Sequence, residues 1–148
     1  NQMKKSYWDS IEQTLQTNDY SLVLQDLEIF IEKLKAIVPN SNKFQNRIKE
    51  MFDFSYIRHR ISQNIENKKY MLHLFKMCLL FLQELDSIQN EVKYNEIITQ
   101  LETSDTRNSL LESCKIVYPF LDEKLNEVFK SANLVRNLPL FKEWKNTN

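Results

Sequence analysis

The amino-acid sequence predicts an all-α fold, an antiparallel bundle of six to eight helices around a central hydrophobic helix. Two observations carry this prediction. Apolar residues recur at helical spacing along almost the whole chain, and the chain contains no glycine. Because glycine alone adopts positive φ cheaply, hairpin turns and strand bulges depend on it, so its absence argues against most β folds.

The length and composition indicate one domain spanning residues 1–148. A chain of 148 residues can bury a substantial core, since a chain of this size hides about 70% of its unfolded surface. Its 42% hydrophobic and 27% charged residues are ordinary for a globular protein. The chain begins with Asn1 and not with Met, so we expect it to be a fragment of a longer protein.

The first helix is predicted to begin at Ser6 as its N-cap and to end before Asn18. Its apolar face comprises Trp8, Ile11 and Leu15. The second helix is predicted to begin after Asp19 or Ser21 and to end at Pro39, because a proline disfavours helical geometry in the residue before it. The apolar stripe of the second helix comprises Tyr20, Leu24, Leu27, Ile31, Leu34 and Val38.

Two shorter helices are predicted next. The third follows the turn at residues 40–42, and its apolar side comprises Phe44, Ile48, Met51 and Phe52. Asp53 is expected to cap the fourth helix, whose apolar residues are Phe54, Ile57 and Ile61. A polar break at residues 64–67 follows, and Asn67 is expected to cap the fifth helix.

The fifth helix is the most hydrophobic segment of the chain. Its main stripe comprises Met71, Leu74, Phe75, Cys78, Leu79, Leu82 and Leu85, and its other side carries Leu72, Met77, Leu80 and Phe81. A helix that is apolar on nearly all sides is normally buried at the centre of a fold. The apolar run is shorter than the 20 or so residues that span a bilayer, and it contains His73 and Lys76, so we expect no membrane insertion.

The C-terminal third is predicted to contain further helices separated by breaks. The first of them follows Ser87 and carries Val92, Tyr94, Ile97, Ile98 and Leu101. Residues 103–106 are rich in N-cap residues and are expected to form a loop. Pro119 is expected to end or kink the next helix. The tail around Leu138 and Trp144 is expected to form a last short helix.

Residues that metal binding and nucleophilic catalysis require are not arranged for either chemistry. The two histidines, His59 and His73, have no helical partner of the right type. Cys78 and Cys114 fall on apolar stripes, where a thiol is inert. Two core thiols also fit a reducing compartment. The sequence therefore predicts a cytoplasmic protein that is not an enzyme and needs no metal or cofactor.

Basic residues concentrate in the segment 43–69, although the formal net charge of the chain is zero. A dipolar surface, or contacts between segments of opposite charge, is the commoner explanation of such a pattern. The functional interpretation is a basic face that binds an acidic protein partner. The candidate partner-binding residues are Arg58, Arg60, Lys68 and Lys69. The oligomeric state stays open.

Nucleic-acid binding through the segment 43–69 is the alternative function. The run Arg58-His59-Arg60 on a short helix is what a helix-turn-helix presents to the major groove. The zero net charge argues against this alternative, because nucleic-acid-binding domains usually carry a clear positive excess. The sequence therefore favours a protein partner over a nucleic acid.

Several local patterns resemble the T-complex protein eleven family, a eukaryotic helical family of sperm and flagella with fungal members tied to protein kinase A signalling. The matching pieces are Tyr7-Trp8-Asp9, Asp19-Tyr20, Leu27-Glu28-Ile29 through Val38-Pro39, Ile48, Phe52-Asp53, Ile57 and Lys69-Tyr70. They cover roughly residues 7–80. The family's Cys-Ala-Pro-x-Arg-Asp motif is not matched after Cys78. The resemblance implies a non-enzymatic adaptor in signalling or flagellar assembly, associated with the flagellum or the cytoplasm.

Overall fold

The computed structural model describes residues 2–137 of the chain. In this range the backbone forms seven α-helices and one 3-10 helix, and no strand. The helices are α1 (Gln2–Gln16), α2 (Ser21–Ile37), α3 (Asn42–Met51), α4 (Phe54–Ser62), α5 (Asn67–Leu85), the 3-10 helix (Ile88–Asn90), α6 (Glu91–Arg107) and α7 (Leu110–Asn137). The prediction of an all-α bundle is confirmed.

The central helix of the bundle is α5, as its composition predicts. It packs against both α6 and α7, and its buried residues are Asn67, Met71, Leu72, Leu74, Phe75, Cys78, Leu79, Phe81 and Leu82. All of these residues except Asn67 belong to one hydrophobic core cluster, to which each of the seven α-helices contributes. Among the described helices, none combines the length and the apolarity needed to cross a bilayer.

Contacts at both ends of α5 show that α5 and α6 run antiparallel. At the start of α5, the Lys68 ammonium donates to the carbonyl oxygen of Asp105, near the end of α6, at 2.9 Å. At the other end, the Tyr94 hydroxyl of α6 donates to the carboxylate of Asp86 at 2.7 Å. The short connection between the two helices therefore reverses the chain, as bundles require.

The predicted loop at residues 103–106 is wrong, because α6 continues to Arg107. The hydroxyls of Thr103 and Ser104 donate to the Gln100 carbonyl oxygen at 3.0 and 2.7 Å. A short polar side chain inside a helix often bonds back to the preceding turn in this way, and so competes less with the helix. Burial of Ser104 and of nearby Leu101 holds the segment against the core.

Pro119 lies inside α7 and does not end the helix. A proline in a helix interior costs about 3 kcal/mol, because it removes a hydrogen bond and crowds the preceding turn. Val117 and Leu121 on either side of Pro119 are both buried in the core, and this burial offsets the cost. The predicted last helix around Leu138 and Trp144 lies outside the described residues.

The predicted helix starts are partly confirmed. Asp53 caps α4 by accepting hydrogen bonds from the backbone N–H groups of Ser55 and Tyr56 at 3.1 and 3.3 Å. Ser6 does not begin the first helix, because α1 already starts at Gln2. The Ser6 carbonyl oxygen instead accepts a hydrogen bond from Ser10 Oγ within the helix.

Asn67 does not cap α5. Its side-chain amide donates back to the Ile61 carbonyl oxygen at 3.0 Å, and the residue at the N-cap position is Glu66. The Asn67 side chain therefore fastens the start of α5 to the end of α4, a contact between elements that a search for helix caps does not reveal.

Three of the described residues adopt positive φ: Asn18 at 58°, Asn64 at 53° and Glu66 at 48°. Asparagine tolerates this left-handed geometry because its short side chain can hydrogen-bond locally. Glutamate has no such advantage, and for it the geometry costs roughly 1–2 kcal/mol. The connection between α4 and α5 therefore contains a strained residue.

Replacing Glu66 with glycine is expected to stabilise the protein by about 0.5–1 kcal/mol, because glycine relieves the strain at positive φ while making the unfolded chain more flexible. Urea denaturation followed by circular dichroism measures the change. The matched control is Glu96→Gly, at an exposed glutamate in the interior of α6, which is expected to cost about 1 kcal/mol. Equal destabilisation by both substitutions would contradict the assignment of strain to Glu66.

Truncating a central side chain of α5 tests the position of the core. Leu79 is 0% exposed, and Leu79→Ala is expected to lower the free energy of unfolding by about 2–5 kcal/mol. Leu134 on α7 is 69% exposed, so Leu134→Ala is the matched control and is expected to change it by less than about 0.5 kcal/mol. Thermal and urea denaturation of both variants provide the measurement.

Candidate functional site

The four predicted partner-binding residues lie where α4 ends and α5 begins, and two of the four contact other helices of the fold. Arg58 and Arg60 are on α4, and Lys68 and Lys69 are in the first turn of α5. We call the region formed by Arg60, Lys69, Tyr56, Ile65 and Tyr70 the α4–α5 corner. Arg58 and Lys68 contact other helices instead.

Arg58 joins α4 to α2. Its guanidinium forms an ion pair with the Glu28 carboxylate and lies 5.9 Å from the centre of the Phe54 ring. The Arg58 and Glu28 side chains are 54% and 35% exposed, so water screens the pair and its contribution to stability is small. Arg58 is therefore paired within the fold by an acid of α2. The expected contacts between segments of opposite charge are made instead by Arg47 with Glu84 and by Lys76 with Glu102.

Arg60 is held in place at the α4–α5 corner. Its guanidinium donates to the carbonyl oxygen of Ile65 at 2.6 Å and lies 4.8 Å from the centre of the Tyr70 ring. Partial burial raises the pKa of Tyr70, and the neighbouring Tyr56 raises it further while Arg60 lowers it. Tyr56, Arg60 and Tyr70 therefore form one close group.

The two lysines differ in their contacts. Lys68 donates to the backbone of α6, as described above, and is only partly exposed. Lys69 is exposed, and among the described residues it has no hydrogen bond or ion pair. Lys69 is therefore available to an acidic group from outside.

Two exposed apolar side chains at the corner were not predicted from the sequence as part of the binding surface. Tyr56 is 59% exposed and Ile65 is 56% exposed. Tyr56 lies off the apolar stripe of α4, and Ile65 stands inside the polar break between α4 and α5. An aromatic residue on a polar helix face and an isoleucine in a polar turn are the signals that could have identified them.

A groove of about 660 Å³ lies between α2 and α4. Its lining includes Arg58, Glu28 and Asn67. The Asn67 side-chain oxygen is buried and accepts no hydrogen bond from the described residues. Buried polar atoms almost always have a partner, so this oxygen has an unused hydrogen-bonding capacity inside the fold.

The two cysteines are enclosed in the core, whereas His59 on α4 and His73 on α5 are exposed. Among the described residues, no three of the His, Cys, Asp and Glu side chains form a group that could hold a metal ion. Burial raises the pKa of the Cys78 thiol, and it raises that of Cys114 to about 12. Because the thiolate is the nucleophilic form, neither cysteine is activated at neutral pH.

Comparison of the chain with protein-family models, with curated proteins and with solved structures finds no match in any of the three. The functional argument therefore rests on the geometry of the corner and its groove.

Reversing the charge of Arg58 is expected to lower the melting temperature slightly, because the new carboxylate faces Glu28. The loss in unfolding free energy is expected to be about 0.5–1 kcal/mol. Adding Glu28→Arg to Arg58→Glu re-forms the pair in reverse and is expected to recover most of the loss. Lys69→Glu in the first turn of α5 is the control and is not expected to lower the melting temperature, because a helix N-terminus favours a negative charge. Additive losses in the double variant would mean that the ion pair does not form in solution.

Proposed function

We propose that this domain is a non-enzymatic protein-interaction module, an adaptor or scaffold, that binds an acidic segment of another protein at the α4–α5 corner. The observation that carries the proposal is the Arg60 guanidinium, held between the Ile65 carbonyl and the Tyr70 ring, with Tyr56 and Ile65 exposed. Lys69, which precedes Tyr70 in the chain, is exposed and forms no ion pair with the described residues. Tyrosine and arginine are the residues enriched among those that dominate binding energy in protein interfaces.

The fixed position of Arg60 favours tight recognition. A guanidinium has five N–H donors in a rigid fork, and the Ile65 carbonyl is its one hydrogen-bond acceptor among the described residues. The remaining donors match the two oxygens of a carboxylate. Because Tyr70 and Ile65 already hold the side chain, little conformational entropy is lost when a partner binds.

The groove between α2 and α4 extends the proposed surface. A peptide lying along it meets the exposed side chains of Asn18 and Asn64. Polar contacts of this kind can orient a bound peptide, whereas Lys69 selects for acidic side chains. The corner and the groove together thus support recognition of a segment of several residues.

The cellular role belongs to the same proposal. The resemblance to the T-complex protein eleven family over residues 7–80 supports an adaptor in signalling or flagellar assembly. The corresponding location is the cytoplasm or the flagellum. The partner is then an acidic protein of one of these systems.

Nucleic-acid binding is the second candidate, favoured by the exposed Tyr56 ring beside Lys69 and Arg60. Aromatic rings next to cations form the stacking platforms of single-strand-binding proteins. The ion pair of Arg58 with Glu28 and the zero net charge of the chain weigh against it, because both reduce the positive potential that a phosphate backbone requires.

Replacing the corner residues is expected to abolish partner capture without unfolding the domain. The test variant is Tyr56→Ala with Lys69→Glu, and the matched control is Ile88→Ala with Lys49→Glu, which changes an exposed isoleucine and an exposed lysine elsewhere. Loss of a dominant interface tyrosine costs about 2 kcal/mol or more, which is about thirtyfold in affinity. Quantitative mass spectrometry of proteins captured from source-cell lysate provides the first measurement.

The captured partner is then tested directly. A synthetic peptide carrying its most acidic segment is titrated against the wild type and both double variants by calorimetry. Binding lost only in the corner variant supports the proposal, and equal binding by all three chains refutes the site. Captured material that disappears on nuclease treatment favours the nucleic-acid candidate instead.

A further inference from the structure

A second groove, away from the α4–α5 corner, lies between α1, α2 and α7. Its volume is about 450 Å³, within the range of about 300–1,000 Å³ that small-molecule sites occupy. Most of its wall is apolar or aromatic, and the rings of Tyr7, Trp8, Phe30 and Tyr118 lie along it. A groove of this size and lining suits a ligand with an apolar or aromatic body.

The Asp26 carboxylate lies in this apolar groove without a cation. Asp26 is on α2 and partly buried, and its one hydrogen bond among the described residues comes from the Tyr7 hydroxyl. No basic side chain of the described residues forms an ion pair with it. An ionised carboxylate accepts about four hydrogen bonds, so most of its capacity is unused.

The surrounding groups leave the Asp26 charge uncompensated. Burial raises the pKa of Asp26, although the Tyr7 hydrogen bond lowers it. The Tyr118 hydroxyl of α7 is buried and has no hydrogen-bond partner among the described residues. The wall formed by α7 therefore donates nothing to the carboxylate.

The rim of the groove does not reverse this charge. The exposed ammonium groups of Lys4 and Lys33 lie along the groove together with the exposed carboxylates of Asp122 and Glu123. These four charges sum to zero, so the Asp26 carboxylate gives the groove a net negative charge. Salt screens exposed rim charges far more than a partly buried charge, so Asp26 determines the electrostatic potential inside the groove.

We propose that this groove binds a small organic ammonium, an amine carried by an aromatic or branched apolar body. The ammonium contacts the Asp26 carboxylate, and the body packs against the rings of the wall. A cation is attracted both by the carboxylate and by aromatic faces. An anion would be repelled by Asp26, and a neutral ligand would bury the carboxylate further without a partner.

The first experiment compares three probes of one shape with the wild-type chain: phenethylammonium, phenethyl alcohol and phenylacetate. Each is titrated at neutral pH while the amide signals of the protein are followed by NMR. A cation of this size is expected to bind with a Kd on the order of 1 mM, and the alcohol about tenfold more weakly. The shifted signals are expected to include those of Tyr7, Trp8 and Asp26.

Substitutions then assign the binding to Asp26. Asp26→Asn keeps an acceptor for the Tyr7 hydroxyl and is expected to weaken phenethylammonium binding about tenfold. Asp122→Asn makes the same chemical change at the exposed rim and is the matched control, with less than about twofold effect. Tyr7→Phe removes the hydroxyl that donates to the Asp26 carboxylate and is expected to keep or strengthen phenethylammonium binding. This variant tests the proposal if Asp26→Asn fails to fold.

Equal affinity of the ammonium and the alcohol, preferential binding of phenylacetate, or unchanged binding by Asp26→Asn would each overturn the proposal. Absence of any saturable shift with phenethylammonium up to about ten times the expected Kd would overturn it as well. These outcomes do not depend on the corner, because no residue of the α4–α5 corner lines this groove.

Discussion

Burial of α5 on both of its faces is the constraint on which the rest of this structure depends. One helix cannot exclude water from all of its sides, so neighbours must pack around it: α6 and α7 do so directly, and α3 adds Phe44, whose ring meets that of Phe81 at 5.7 Å. Dehydrating one fully buried large apolar side chain contributes about 1.5–3 kcal/mol, and α5 buries several. The α4–α5 corner stands where this helix emerges from the core, which gives exposed residues a rigid base.

Local patterns in the sequence predicted the core well and the surface poorly, and the reason is the range of the interactions. The apolar stripe of α5 and the cap at Asp53 depend on residues within one or two helical turns, so both were predictable. The persistence of α7 through Pro119 depends on packing against distant helices. Likewise, the pairing of Arg58 with Glu28 joins residues far apart in the chain. The sequence therefore suggested that Arg58 binds an acidic partner protein, whereas the acid that pairs with Arg58 belongs to the same chain.

Helix α2 contributes one carboxylate to each of the two surfaces. Asp26 and Glu28 are two residues apart, a separation that places side chains on different faces of a helix. Glu28 faces α4 and is neutralised by Arg58, whereas Asp26 faces α1 and α7 and, within residues 2–137, accepts a hydrogen bond only from the Tyr7 hydroxyl. Two acids that look equivalent in the sequence thus differ in character, and the difference arises entirely from which helix lies opposite.

The burial of both cysteines leaves the described surface free of reactive thiols. Cys78 and Cys114 are the two cysteines of the whole chain, and both are 0% exposed. A cysteine introduced at an exposed position such as Ile65 would therefore react with a maleimide dye in preference to the native thiols. The wild-type background can accept single-site fluorophores, spin labels or crosslinkers without prior removal of its own cysteines.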